Sequence, residues 1–122
     1  MQLIDTNILI YSGEPLYSQL LLPYVTDPSN IVSAVNMVET LGFPRITPGQ
    51  ILYFKSLFTI LRVIPVDDLV IQKAIELRQQ KSISLGDSFI AATALLLNAS
   101  LVTRNTSDFS GIVGLNVINP IP

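Results

Sequence analysis

A chain of 122 residues has room for one domain around one core. At 49% hydrophobic and 13% charged, with a mean hydropathy of +0.53, it is too apolar and too weakly charged to be intrinsically disordered. It has no histidine and no cysteine, which excludes disulfide scaffolds, Cys/His zinc sites, thiol nucleophiles and any imidazole base. Catalysis by such a chain must use carboxylates, hydroxyls, lysine, tyrosine or a metal held by oxygen.

The first residues, Met1-Gln2-Leu3-Ile4-Asp5, have neither the basic start nor the long apolar stretch of a secretory leader, so a cytoplasmic location is expected. Proline, glycine and asparagine then punctuate the chain and separate short apolar runs from longer ones. The short runs, residues 2–5, 30–33, 62–65, 100–103 and 115–118, are apolar without alternation, as strands covered on both faces are. Helices are expected over residues 16–25, 34–41, 50–61, 68–80 and 84–98. Asp68 is the expected cap of the fourth of these. The last is apolar nearly all round, which marks a central, buried helix; the uncharged run between Asp87 and Arg104 thus reads as a helix followed by a strand, not as a membrane span. Strand alternating with helix predicts a single α/β domain over residues 1–122, a three-layer α/β/α sandwich on a parallel sheet of four or five strands.

The nine acidic residues can be taken one by one. Asp67, Asp68 and Glu76 belong to a surface helix, and Glu14 and Asp27 stand beside prolines. Asp5, Glu39, Asp87 and Asp108 remain, each in apolar sequence, where an isolated carboxylate costs several kcal/mol unless paired, hydrogen-bonded or on a metal. Each also has a local explanation. Asp5 can cap a following helix, Glu39 can lie on a solvated helix face, Ser84-Leu85-Gly86-Asp87 is a capping pattern, and Asp108 can close a turn on its own backbone. Yet all four fall just past a predicted strand or at a helix head, and in a doubly wound sheet those ends share one edge. Gathered carboxylates would raise one another's pKa unless a divalent cation neutralised them. An all-oxygen donor set suits Mg²⁺ or Mn²⁺, and such a centre activates water against a phosphodiester.

The segments Leu3-Ile4-Asp5-Thr6-Asn7-Ile8-Leu9, Ser33 through Glu39, Leu85-Gly86-Asp87-Ser88-Phe89-Ile90-Ala91-Ala92, Leu101-Val102-Thr103-Arg104-Asn105 with Asp108-Phe109, and Val117-Ile118-Asn119-Pro120 together resemble the PIN-domain signature, and most closely that of VapC-like ribonuclease toxins of toxin–antitoxin pairs. The resemblance covers the chain in order. It implies a Mg²⁺-dependent endoribonuclease that leaves 5′-phosphate and 3′-hydroxyl ends on structured RNA such as tRNA or rRNA, dimerises and binds an antitoxin, with Mn²⁺ able to substitute. Carried over residue by residue, it makes Asp5 and Asp87 the main metal ligands. Glu39 would orient the metal water, and Asp108 would complete a catalytic quartet. Thr6, Asn7, Thr103 and Asn105 match polar positions lining the family's site; Asn105 stands where many wider relatives carry another Asp.

One departure is plain. With seven basic residues and a net charge of −2, the chain lacks the basic footprint that phosphate contacts usually require, so RNA binding is expected to lean on the metal, on Arg104, and on Arg45, Lys81 and dimerisation. Other classes fit less well. A haloacid-dehalogenase-type phosphatase needs a second Asp where Asn7 stands. A phosphate-receiver domain needs an acidic pair and a late lysine, and no lysine follows Lys81. No glycine-rich phosphate loop is present. The alternative from a different class is a catalytically silent PIN module that binds or scaffolds a protein. The apolar stretches 16–25 and 50–61 suit a dimer face, an antitoxin groove or plain core packing.

Overall fold

The computed structural model describes residues 1–122. Five parallel strands form one sheet in the order β3-β2-β1-β4-β5: β1 Gln2–Ile4, β2 Ile31–Ser33, β3 Arg62–Ile64, β4 Ser100–Val102 and β5 Val117–Ile118. The central strand pairs Leu3 with Ile31 on one side and with Leu101 on the other. Each strand is two or three residues long, yet successive side chains still leave opposite faces of the sheet. Leu3, Ile31 and Leu101 enter one core; Ile4, Val32 and Val102 enter the other. The three-layer α/β/α sandwich expected from the sequence is the architecture observed.

The helices are α1 Thr6–Ser12, α2 Pro15–Val25, α3 Ala34–Leu41, α4 Pro48–Ile60, α5 Asp68–Gln80 and α6 Leu85–Leu96. Residues of α5 and α6 fill the core under Leu3, and those of α1, α2 and α4 fill the core under Ile4. The middle of α6, Ile90 to Ala94, is wholly buried, as its composition predicts, although Leu85 and Leu96 at its ends are exposed. No helix is long and apolar enough to cross a membrane.

Two local readings need correction. The first helix is absent from the predicted elements because Asn7-Ile8-Leu9-Ile10 continues the apolar run of β1; the Asp5 side chain breaks that run by accepting the Thr6 N–H at 2.8 Å and starting a helix. The cap of α5 is Asp67, whose carboxylate accepts the Val70 N–H at 3.0 Å, while Asp68 lies inside the first turn.

The chain leaves β1 towards β2 and β3, then returns across β1 to add β4 and β5. The strand order therefore reverses between β1 and β4, and open sheets of this kind hold their ligands outside the strand ends at that reversal. Asp5 follows β1 directly, and Thr103 follows β4.

Candidate active site

Three helices, α1, α3 and α6, begin at this edge of the sheet, and each start is capped by a side chain: Asp5, Ser33 and Ser84. A helix N-terminus favours negative charge, which helps accommodate Asp5 and Asp87 on an otherwise apolar scaffold. A cavity of about 230 Å³ opens between them, lined by Asp5, Thr6, Asn7, Glu39, Asp87 and Asn105 together with Ile10.

Asp5 is only 5% exposed, and both of its carboxylate oxygens are hydrogen-bonded. Its Oδ1 accepts the Thr6 N–H at 2.8 Å; its Oδ2 accepts the Thr103 hydroxyl at 2.8 Å and the Asn7 side-chain amide at 3.2 Å. A carboxylate offers about four lone pairs, so the one left unspent is on Oδ1. Burial pushes the Asp5 carboxyl up to about 6; the Thr103 and Thr6 bonds offset part of that push, and the charges of Asp87 and Glu39 add to it. Thr103 is itself wholly buried and also accepts from Asn7 at 3.1 Å and from the Asn105 N–H at 3.1 Å.

Glu39, by contrast, is exposed on α3, as a solvated helix face would have it, but it is not loose. Its Oε1 accepts the Thr6 hydroxyl at 2.8 Å, and its Oε2 lies against Gly86, 2.9 Å from where a Cβ would stand. Asn36, which sequence reading passed over, sets this bond. Its Oδ1 accepts the Ser33 N–H at 2.8 Å, which fixes the amide, and its Nδ2 donates to the Thr6 hydroxyl at 3.0 Å. The Thr6 proton is thereby directed to Glu39. Two signals pointed to these residues: the Ser33-x-x-Asn36 spacing of a reciprocal cap, and a glycine placed in the first turn of a helix.

Asp87 is half-buried in the first turn of α6, its N–H donating to Ser84 Oγ at 3.1 Å. Burial raises its pKa; the Ser84 hydroxyl offsets part of this, and the nearby charge of Asp108 adds to it. Asp108 stands apart from the other three. It is exposed on a 3-10 turn, Thr106–Phe109, and with Lys81, Ser84, Asp87 and Ser107 it lines a second cavity of about 310 Å³. The turn after β4 presents Asn105 to the first cavity and carries Asp108 one step further, towards the head of α6. One tight cluster of four therefore does not form, and no three acidic side chains are close enough to hold an ion among themselves. The arrangement is a trio around one cavity, with Asp87 shared by the next.

The donor set still fits a hard cation. Mg²⁺ keeps several waters and takes only one or two carboxylates, and every donor here is oxygen. A buried carboxylate whose proton is held up to about 6 is also one that a cation would stabilise.

The PIN domain family model matches residues 3–114. Among solved structures, a toxin–antitoxin complex from Klebsiella pneumoniae contains a chain 32% identical to this one, with a TM-score of 0.81 over 99% of this chain and 98% of that chain. A DNA-bound VapBC from Salmonella typhimurium is 17% identical, TM-score 0.81, over 99% and 100% of the two chains. VapBC2 from Rickettsia felis, bound to a DNA fragment from its promoter, is 22% identical, TM-score 0.79, over 97% of each; these last two show likeness of fold. No match is found among curated protein sequences. An acid-lined cavity at the reversal of a 3-2-1-4-5 parallel sheet, the family match over residues 3–114 and the Klebsiella pneumoniae relative agree, and the chain belongs to the PIN domain family.

Proposed function

We propose that this protein is a Mg²⁺-dependent endoribonuclease and the toxin of a toxin–antitoxin pair. The observation that carries the reading is the cavity itself: Asp5 at the head of α1, Asp87 in the first turn of α6 and Glu39 from the C-terminal half of α3 line one opening with the donor type of nuclease chemistry. Asp5 and Asp87 would hold the ion, which, when bound, offsets charge on a phosphodiester and activates water. The chain's own groups do the positioning. Thr6, Asn7 and Thr103 hold the Asp5 carboxylate in one orientation with Oδ1 still able to accept. Glu39 keeps Oε2 available beside Gly86, where it can orient or take the proton of an attacking water. Asp108 keeps a further charge on the far side of Asp87.

The toxin half of the reading is supported by the 32% identical chain of a toxin–antitoxin complex. It is also supported by the surface of α2 and α4, where Leu16 and Leu52 are 81% and 73% exposed and suit an antitoxin or a second copy of the chain. The test is cleavage of total cellular RNA in Mg²⁺ by wild type beside Asp5→Asn, with the ends mapped. Cut sites bearing 5′-phosphates in wild type alone support the proposal; identical patterns from both proteins, or none from either while a silent module's partner still binds, refute it.

A further inference from the structure

Arg104 is a cation next in the chain to Asn105, which lines the acidic cavity, yet it pairs with none of the acids: the chain's one ion pair is Lys73–Glu76, at 3.4 Å. Its backbone N–H donates to Asn7 Oδ1 at 3.0 Å, and the Asn7 amide donates in turn to Asp5 Oδ2 at 3.2 Å. One side-chain amide thus ties the backbone of the cation to the buried carboxylate. The guanidinium lies over the Tyr11 ring, 4.8 Å from its centroid, and 5.8 Å from that of Tyr17; the two rings meet edge to face at 5.2 Å. Tyr11 is one turn after Asn7 on α1, so one helix face supplies both the backbone anchor and the ring.

Rings that hold a guanidinium without spending its donors leave it prepared for an anion. Its planar fork matches phosphate in two parallel bonds, and a ring or guanidinium plane is also a surface on which an unpaired base stacks. An acidic peptide would use the charge and leave the rings idle. We propose that Arg104, Tyr11 and Tyr17 form a nucleotide subsite beside the acidic cavity that grips a backbone phosphate and an unpaired base of single-stranded RNA. The proposal rests on the nuclease reading and deepens it by naming the side chains that grip the RNA beside the cavity.

The experiment is fluorescence anisotropy with a fluorescein-labelled single-stranded oligoribonucleotide in EDTA, where cleavage does not intrude. Arg104→Ala weakens binding by about tenfold and lowers the slope of log affinity on log salt by about one. Arg104→Lys keeps the slope without restoring the affinity, because an ammonium neither forks nor stacks. Tyr11→Ala weakens binding with the slope unchanged, and a duplex of the same sequence binds more weakly and ignores that substitution. Equal binding by wild type and Arg104→Ala overturns the subsite, as does no binding by wild type or the same response from duplex and single strand. An acidic peptide that loses affinity for Arg104→Ala while RNA does not would assign the arginine to a protein contact instead. The nuclease reading is judged separately by Asp5→Asn, which leaves the three subsite residues in place: cleavage lost there, with Arg104→Ala binding RNA normally, sinks the subsite alone.

Discussion

The acidic cavity and the groove between α1, α2 and α4 are built on opposite terms. The groove is the larger, about 410 Å³; its apolar side chains are Ile10, Leu22, Tyr53 and Phe54, and Glu14, Ser18 and Gln50 also line it, with one polar bond across it, Ser12 to Tyr53 at 2.8 Å. The cavity is about 230 Å³, and Ile10 is its one apolar wall. Every buried side-chain polar atom around it is partnered; the single side-chain orphan in the chain is the hydroxyl of Thr40. Apolar surface holds a shape by area and tolerates change. A polar site holds a shape by a list of specific bonds, and each broken one leaves a desolvated group behind. Substitutions in the two regions should therefore differ in kind.

The largest expected effect is on chemistry. Mg²⁺ or Mn²⁺ should raise the melting temperature of wild type by mass action, and Asp5→Asn or Asp87→Asn should abolish that rise and lower RNA cleavage by about 100-fold or more; mutants that respond to metal as wild type does would break the assignment of the cavity. Next comes pH. The Asp5 carboxyl titrates near 6 in the folded chain against 3.8, so between those values the folded state carries the extra proton and stability falls as pH rises. The full penalty, about 3 kcal/mol for a shift of about two units, is present above pH 6, and Asp87 acts in the same direction. Without metal, denaturant unfolding should thus show the protein gaining stability from pH 8 to pH 5, and saturating Mg²⁺ should erase the gain. Asp27, lowered by its bonds to Ser29, opposes this only in the acid range below.

A smaller effect is expected from Thr103→Val, which keeps the volume but strips a bond from Asp5, from Asn7 and from the Asn105 N–H. Its cost should be about 1–3 kcal/mol in chemical denaturation, with the Asp5 titration moved further up. Gly86→Ala sharpens the contrast: the added methyl meets the Glu39 carboxylate at 2.9 Å, the movable end of a side chain. Stability should hold or rise by about 0.5 kcal/mol while cleavage falls. On the exposed surface of the helices that flank the groove, Leu16→Ser or Leu52→Ser should change stability by no more than about 0.5 kcal/mol and should show instead as weakened association with a partner or a second copy.

The sheet and five of the helices were legible because their signals are local and periodic. Ala34–Leu41 and Asp68–Gln80 have the predicted ends, set by cap residues that can be read directly. Helix α1 was hidden because one side chain, Asp5, is at once the last residue of an apolar run and the cap that ends it. The acids were legible as residues out of place in apolar sequence. Their grouping was less so: strand order told which ends meet, but the pitch of the turn after β4 decided that Asn105 lines the cavity and Asp108 its neighbour. The Ser33-x-x-Asn36 spacing showed a cap but not the Thr6 hydroxyl that Asn36 fixes, and Tyr11 was invisible, since a ring that carries a guanidinium acts only through a partner distant in the chain.

The two walls of the cavity differ in stiffness, and that bears on the choice of ion. Asp5 is clamped by three donors on two elements, whereas Glu39 is exposed and tethered through one hydroxyl. A cage with every oxygen locked would discriminate by ionic radius; one fixed jaw facing a swinging one adjusts its bite. For the proposed nuclease, Mn²⁺ should thus replace Mg²⁺ with little penalty, and selectivity must come from which metal the cell supplies rather than from the protein.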